Sequence, residues 1–208
     1  MLCIVGAGGF ASEVLCLLCD LKRENEVYCF FQSDNLFVSD THILGIKVLP
    51  LSTFDPDTQT LIVAIANPLI RQKIVEQLPQ NTQFETLIHP NAIASRWVSV
   101  GVGSIICTGV SLTSNIVLGK HTHLNLYTTV GHDCQLGDYF TTAPAVNIGG
   151  QCTIGNRVYV GSGACIRQQI TIADDVTLGM GSIVVKNISQ KGIYAGNPAK
   201  KLIKQQKI

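Results

Sequence analysis

Aliphatic residues recur at every sixth position from residue 88 to residue 184, through almost half of the chain. Fifteen of the seventeen positions in this register are Ile, Leu or Val, and the exceptions are Ala94 and Thr142. A period of six fits neither an α-helix nor a simple strand, whose apolar positions recur near 3.6 and 2 residues. It is typical of a solenoid that repeats a short strand and a corner. The register therefore predicts a parallel β-solenoid domain over residues 87–187.

The register also assigns a direction to each side chain. The stepped aliphatic residue and the residue four places later are predicted to face the core, and the second to fourth positions form a corner. His132 and Asp133 are the third and fourth residues of their hexad, so both should project from a corner. Cys134 follows at a core-facing position and is predicted to be a small apolar filler.

His132 is a candidate general base, because a neighbouring carboxylate can hold the imidazole in one tautomer and stabilise its cation. From spacing alone, a solvated corner histidine without a catalytic role is the competing interpretation. His121 and His123 suggest a three-histidine zinc site with His132. Stacked ligands on a triangular coil should be about eighteen residues apart, so no metal site is predicted.

The first ninety residues alternate predicted strands and helices. An apolar strand at the N-terminus leads into a glycine-rich turn, and a helical pattern follows. Strands are predicted at 1–5, 27–31 and 61–66, and helices at 12–21 and 69–78. This order predicts a small parallel sheet that resembles half of a Rossmann domain, over residues 1–86.

The turn after the first strand has glycines that let a phosphate approach the backbone at a helix N-terminus. Its candidate ligand-binding residues are Gly6, Gly8, Gly9 and Phe10. Polar residues after the next two strands should meet at the same sheet edge and contact the same ligand. They are Gln32, Ser33, Asp34, Asn67 and Arg71. Alternatively, the glycines of the turn serve only to pack the following helix closely on the sheet. If the turn does bind a ligand, the short domain favours a mononucleotide or nucleotide-sugar over NAD.

Composition excludes several classes of partner. The 208 residues carry a net charge of +1 and only 14% are charged, so no basic surface for nucleic acid is predicted. The apolar segment 1–21 has no basic leader and is interrupted by glycines and Glu13, which argues against a signal peptide or membrane span. A cytoplasmic protein is therefore predicted. Its eight cysteines are expected to be reduced, with Cys16 and Cys19 buried one helical turn apart.

Several motifs in one order resemble the bacterial hexapeptide-repeat sugar acetyltransferases. This family includes N-acetyltransferases of nucleotide-linked 4-amino-sugars and sialic acid O-acetyltransferases. The resemblance covers nearly the whole chain, at segments 6–11, 31–34, 64–68, 87–90, 125–139 and 195–202. It implies a left-handed β-helix, a homotrimer, and acetyl-CoA bound in the groove between neighbouring helices.

The resemblance also implies roles for individual residues. His132 matches the catalytic base, Asp133 its orienting acid, and Asn125 a polar residue near the acceptor. Gly150 matches a glycine whose N–H meets the acetyl carbonyl. The remaining positions implied for the CoA groove and its phosphates are Ser162, Met180, Lys186 and Lys200, although a solvated basic tail is an equal alternative for the lysines.

Two departures from the family pattern accompany this resemblance. Thr141 stands where many relatives have a second histidine, and the second strand ends in Phe-Gln-Ser-Asp instead of a hydrophobic residue and two aspartates.

Together, the motifs and the resemblance predict an acetyl-CoA-dependent N-acetyltransferase of a nucleotide-linked amino-sugar, favouring a 4-amino-4,6-dideoxy sugar, for a surface glycan such as O-antigen. The alternatives are an O-acetyltransferase of a sialic-type sugar and a non-catalytic nucleotide-sugar-binding scaffold. Residues 188–208 should pack over the last coil.

Overall fold

The chain forms an N-terminal α/β unit followed by a three-sided parallel β-solenoid, which confirms the predicted fold class. The computed structural model describes residues 1–202. None of the helices in this part of the chain has the length and hydropathy that a membrane span requires.

The N-terminal unit is built on a six-stranded sheet. Its strands are β1 (Leu2–Val5), β2 (Val27–Gln32), β3 (His42–Ile43), β4 (Ile46–Pro50), β5 (Thr60–Val63) and β6 (Gln83–Phe84). They are ordered β3-β4-β2-β1-β5-β6, and all neighbours are parallel except β3 and β4. The sequence pattern missed β3, β4 and β6, because two of them have only two residues and β4 is mostly half-buried.

Helices cover both faces of this sheet. They are α1 (Gly9–Asp20) and α2 (Pro68–Gln77), with short 3-10 helices at Glu24–Glu26, Asp34–Leu36 and Leu51–Thr53. Alternate residues of β1 enter two separate cores: Leu2 and Ile4 pack with α1, whereas Cys3 and Val5 pack on the side of Ile74 in α2. A parallel sheet buried on both faces produces the continuous apolar strands in the sequence.

The solenoid has three faces of short parallel strands. Face 1 consists of Leu87–Ile88, Ile105–Ile106, His123–Leu124, Thr141–Thr142, Tyr159–Val160 and Val176–Leu178. Face 2 consists of Ile93–Ala94, Ser111–Leu112, Thr129–Val130, Asn147–Ile148, Cys165–Ile166 and Ile183–Val184. Face 3 consists of Val98–Val100, Ile116–Leu118, Gln135–Leu136, Thr153–Ile154 and Thr171–Ile172. Paired residues are eighteen positions apart, as in Leu118 with Leu136.

The predicted inward positions form the solenoid core. Stepped residues such as Leu112 and fifth-position residues such as Cys134 are buried in one cluster along the axis. Thr142, an exception in the register, also points inward, and its hydroxyl lies 2.8 Å from that of Thr128. It also accepts the N–H of Asn125 at 3.0 Å, so this polar core residue is satisfied.

The chain folds back at the end of the solenoid. Gly192–Ala195 adds to face 1 beside Val176–Leu178 in parallel, and Lys200–Lys201 pairs with it antiparallel. The last six residues of the predicted C-terminal segment, 203–208, lie outside the described residues.

Helix α1 packs against face 1 of the solenoid, where Leu87, Ile105 and Cys107 belong to the same core cluster as the helix. The prediction that Cys16 and Cys19 are buried in this helix is wrong, since both are exposed. The helix buries other positions, among them Val14 and Leu18, which point to the sheet and the solenoid.

Candidate active site

His132 and Asp133 project from one corner of the solenoid, between Thr129–Val130 on face 2 and Gln135–Leu136 on face 3. Their side chains are 59% and 44% exposed, and His132 Nδ1 lies 2.6 Å from Asp133 Oδ2. An ionised carboxylate only accepts hydrogen bonds, so this contact places the proton on Nδ1. The Nε2 atom then carries the free lone pair of a base.

The Asp133 carboxylate is held in its ionised form. Asn115 Nδ2 donates to Asp133 Oδ1 at 2.6 Å, from the same corner one coil earlier. This bond, followed by the contact with His132, lowers the pKa of Asp133 from its ordinary value. The corner therefore pairs a fixed anion with an imidazole that can become a cation.

Gly150 lies against the His132 ring from one coil later. A Cβ atom on Gly150 would be only 2.9 Å from His132 Nε2 and 3.0 Å from Cε1. Residues 131–133 and 149–151 together form what we call the histidine corner. The absence of a side chain at Gly150 is what lets the ring occupy its place above the next coil.

The Gly150 N–H is available as a donor beside this ring. At another corner, Lys120 N–H donates to Asp138 Oδ1 and Asp138 N–H to Asn156 Oδ1, both at 2.8 Å. One coil after Gly150, the position that corresponds to Asp138 and Asn156 is occupied by Gln168. Within residues 1–202, neither Gln168 nor any other residue accepts a hydrogen bond from the Gly150 N–H. A backbone N–H next to a base can stabilise the oxyanion of an acyl group.

Replacing Gly150 by alanine should therefore displace the imidazole. The φ angle of Gly150 lies outside the left-handed region, so the backbone accepts alanine and the ring must give way. We expect the rate of a reaction that uses His132 as its base to fall about 100-fold, the usual cost of a misplaced reacting group, while the melting temperature changes little. An unchanged kcat would show that the ring position over Gly150 is irrelevant.

Asn125 lies at the preceding corner of the chain, between faces 1 and 2, and is half-buried. Its Oδ1 accepts the N–H of Leu126 at 2.7 Å, and Thr142 holds its own N–H from the core side. These two bonds fix the Asn125 backbone and its Oδ1, and they thereby set the direction of the side-chain Nδ2. Its contact with an acceptor sugar stays a prediction.

The predicted CoA-groove residues lie on the corner between faces 1 and 2. Ser162 is half-buried and Met180 is 78% exposed. A Cβ atom on Gly163 or Gly181, which follow them, would meet nothing within 4 Å. This corner therefore has an open surface that a cofactor chain could follow, and Lys186 and Lys200 are exposed beyond it. The roles of the four predicted residues stay predictions.

The glycine-rich turn has two kinds of glycine. Gly6 has a φ of +124°, and a Cβ there would lie 2.8 Å from the Ala64 carbonyl oxygen, so folding itself requires glycine. Gly8 and Gly9 are exposed, and a Cβ on either would meet nothing within 4 Å. Their lack of side chains leaves the N-terminus of α1 open to a ligand. Phe10 packs on His123 with ring centroids 5.3 Å apart.

The other predicted substrate residues do not share one cavity. Asp34 lines a cavity of about 300 Å³ and accepts hydrogen bonds from the hydroxyl and N–H of Ser52. Asn67 caps α2 by accepting the Ile70 N–H at 3.1 Å, and it lines a separate cleft of about 420 Å³. Gln32 and Ser33 are half-buried at the end of β2. Ligand contacts of these four residues stay predictions.

The prediction that Arg71 contacts a ligand is wrong, because its side chain is fully buried between the two parts of the chain. It donates to Ile65 O at 2.5 Å in the N-terminal unit, and to His121 O at 3.1 Å and Tyr139 O at 2.8 Å in the solenoid. Thr141 Oγ1 accepts a further bond at 2.7 Å. Burial lowers the pKa of Arg71 to about 9.

Thr141 consequently has a structural contact in place of a catalytic one. It lies on face 1 beneath the N-terminal unit, away from the histidine corner. His121 and His123 are buried where the N-terminal unit contacts face 1 of the solenoid, a contact that we call the seam. Burial lowers the pKa of His121 to about 4. Within residues 1–202, no group of three or more His, Cys, Asp or Glu side chains is placed to hold a metal ion.

Comparisons with known proteins show the family of the chain. The family described as PglD N-terminal domain matches residues 1–78. GDP-perosamine N-acetyltransferase of Escherichia coli O157:H7 is 34% identical over 149 residues, which are 68% of this chain and 66% of that protein. The solved structure of WeeI from Acinetobacter baumannii AYE is 33% identical, with a TM-score of 0.88 over 97% of this chain and 99% of that chain. The chain belongs to the hexapeptide-repeat sugar acetyltransferases.

A further solved structure is a histidine-to-asparagine variant of perosamine N-acetyltransferase from Caulobacter crescentus, in complex with CoA and GDP-perosamine. It is 27% identical, with a TM-score of 0.87 over 97% of this chain and 96% of that chain. The solenoid of this hexapeptide-repeat acetyltransferase is accordingly a left-handed β-helix, as predicted. The curated E. coli relative is matched over slightly less than two thirds of its length.

Sequence reasoning missed two contacts of the site. Asn115 bonds Asp133, and the signal for it was its place eighteen residues earlier in the same register. Ser52 bonds Asp34 from a 3-10 helix between β4 and β5, and no pattern in the sequence indicated that approach.

Proposed function

We propose that the chain is an acetyl-CoA-dependent N-acetyltransferase of a nucleotide-linked amino-sugar. The observation that carries this proposal is the histidine corner, where an oriented imidazole lies against Gly150 and the Gly150 N–H has no bonded acceptor within residues 1–202. Acyl transfer needs a base for the acceptor and a donor for the oxyanion, and these two groups supply both. The relative bound to CoA and GDP-perosamine supports a 4-amino-4,6-dideoxy sugar as the acceptor.

The reaction proceeds by direct attack of the sugar amine on the thioester. As the amine nitrogen bonds to the acetyl carbonyl carbon, its proton passes to His132 Nε2, and the Gly150 N–H stabilises the negative oxygen. The C–S bond then breaks, and the CoA thiolate takes the proton from the imidazolium. Asp133 stabilises that cation throughout the reaction.

No covalent acetyl-enzyme is required, and Cys134 is unsuited to form one. Its side chain is fully buried, and its Sγ lies 3.2 Å from the Gly149 carbonyl oxygen. A hydrogen bond with Cys152 and burial raise its pKa, so the thiol stays protonated and unreactive.

We infer that the active site forms between subunits of a homotrimer. The N-terminal unit packs on face 1, whereas the histidine corner joins faces 2 and 3 on the opposite side of the triangular coil. With about six residues per side, the coil separates them by about 15–20 Å. A nucleotide-sugar held at Gly8 and Gly9 therefore reaches the His132 of a neighbouring subunit. Light scattering should give three times the 22.4 kDa chain mass.

Mixed trimers test this arrangement. Subunits carrying His132→Ala and subunits carrying Gly8→Trp are each expected to be inactive alone, because they lack the base or the open nucleotide site. When the two are co-expressed, a groove with one intact residue of each kind should restore part of the activity. Failure of two separately folded, trimeric variants to complement would argue against a shared site.

Asp34 is proposed to contact the nucleotide from the end of β2. Replacing it with alanine is expected to raise KM for the nucleotide-sugar about tenfold, because a hydrogen bond to a charged group is lost, and to leave KM for acetyl-CoA unchanged. Asp57→Ala is the matched control, since Asp57 is an exposed aspartate with a single side-chain partner, Asn81. Equal KM values in both variants would remove Asp34 from the site.

The nucleotide is identified by turnover. Amino-sugars linked to UDP, dTDP, GDP and CMP are incubated with acetyl-CoA, and release of the CoA thiol is followed. We expect turnover with one nucleotide class only, with a higher kcat/KM for the amino-sugar than for its hydroxyl analogue. Binding of a nucleotide-sugar without turnover of any acceptor would favour the scaffold alternative.

We propose a cytoplasmic location, where acetyl-CoA and nucleotide-sugars are made. All eight cysteines are free, and five of them are fully or nearly fully buried within the three hydrophobic cores. Free thiols of this kind suit a reducing compartment. Fractionation of the producing cells tests this assignment.

A further inference from the structure

Asn115 completes a chain of hydrogen bonds that ends at the catalytic imidazole. Its Nδ2 donates to Asp133 Oδ1 at 2.6 Å, and Asp133 Oδ2 lies 2.6 Å from His132 Nδ1. We propose that Asn115 is a positioning residue, which fixes the Asp133 carboxylate in the orientation that holds His132 ready for acetyl transfer. This inference rests on the proposed function.

The carboxylate needs such a partner because it is exposed. Asp133 is 44% exposed, and an unrestrained side chain at the surface rotates among several rotamers. A donor on Oδ1 leaves Oδ2 free for the Nδ1–H of the imidazole and keeps the Nε2 lone pair for the acceptor amine. Charge-assisted bonds of this length are the strong ones among side-chain contacts.

Backbone conformation alone does not explain asparagine at this position. Asn115 has a φ of +53°, in the left-handed region that asparagine tolerates well. Gln151 and Gln169 adopt φ values of +59° and +62° at the same place in later coils. The corner therefore accepts other residues, and the feature specific to Asn115 is its bond to the catalytic acid.

The later coils also provide a matched control. Gln169 Nε2 donates to Gln151 Oε1 at 2.9 Å, which is the same kind of bond between stacked corner residues eighteen positions apart. Within residues 1–202, neither of these two amides is hydrogen-bonded to a charged side chain. Gln169→Ala thus removes a stacked corner amide without touching the imidazole and carboxylate.

The test compares Asn115→Ala, Asn115→Asp and Gln169→Ala in steady-state kinetics across pH. We expect Asn115→Ala to lower kcat about tenfold with both KM values unchanged, as for the loss of a bond to a charged group. The acid limb of kcat/KM should move to lower pH, because a loose carboxylate stabilises the imidazolium less. Asn115→Asp should be slower still, because it sets two carboxylates against each other. Gln169→Ala should match the wild type.

A double-mutant cycle establishes that Asn115 acts through Asp133. In an Asp133→Ala background, adding Asn115→Ala should cause no further loss of kcat. An equal further loss, or an Asn115→Ala variant with wild-type kcat and pH profile, would overturn the proposal.

The His132 ring ¹⁵N shifts test the same contact without substrate. We expect Asn115→Ala to move the Nδ1 signal and Gln169→Ala to leave it in place; an unmoved Nδ1 signal would also overturn the proposal. If the two variants behave as expected but the wild-type protein acetylates no nucleotide-sugar, the proposed function is contradicted and the positioning of His132 by Asn115 still stands.

Discussion

Replacing His132 by alanine is expected to lower kcat for acetyl transfer by about 10²- to 10⁴-fold, the range that a positioned general base contributes. The imidazole is the side chain at the histidine corner whose free Nε2 can take the amine proton, and it lies against the Gly150 backbone. The measurement is CoA thiol release under saturating acetyl-CoA and amino-sugar. KM for both substrates should change little, because the ring acts mainly in the transition state.

Folding should be unaffected by this substitution, since the His132 side chain is 59% exposed. His42→Ala serves as the control, because His42 is an exposed histidine on β3 whose Nδ1 contacts a backbone oxygen at 3.1 Å. A folded His132→Ala variant that turns over as fast as His42→Ala would exclude His132 as the base.

Replacing Arg71 by methionine should have the largest effect on stability. The guanidinium is buried and bonds backbone oxygens of both parts of the chain, so its loss leaves buried and partly buried carbonyls without this donor. We expect the free energy of unfolding to fall by at least about 3 kcal/mol. In a chain of this length the melting temperature should fall by about 6–12 °C. Differential scanning calorimetry measures it.

Lys73→Met, two residues further along α2, is the control, because Lys73 is exposed and the same helix is kept. Arg71→Lys should recover only part of the loss, since an ammonium group cannot reach acceptors on both sides as a planar guanidinium does. If Arg71→Met melted at the temperature of Lys73→Met, the bonds of Arg71 would contribute nothing to the seam.

The solenoid could be predicted from the sequence because its coils repeat one six-residue pattern. The six-residue register placed Leu112, Cys134 and most other core positions correctly, since one inward side chain per short strand is the condition for closing a coil. The same register set His132 and Asp133 on a corner. Strands β3 and β6 escaped prediction because two residues carry no periodicity.

The roles of buried polar residues were harder to predict. Arg71 follows a strand at the expected ligand edge, and the sequence contains no sign that the solenoid covers it there. His121 and His123 likewise depend on how two separate domains meet, which is a tertiary contact without a local pattern. Asn115 is an intermediate case. Its position in the register can be predicted from the sequence, whereas the direction of its side chain cannot.

The acetylation of an amine at the histidine corner is visible in an NMR spectrum of the product. The product is formed from acetyl-CoA and a nucleotide-linked sugar whose amine carries ¹⁵N. We expect a new amide ¹H–¹⁵N signal with the wild-type protein and none with His132→Ala over the same time. Acetyl transfer that yields no amide signal, or the same signal at the same rate from His132→Ala, would contradict it.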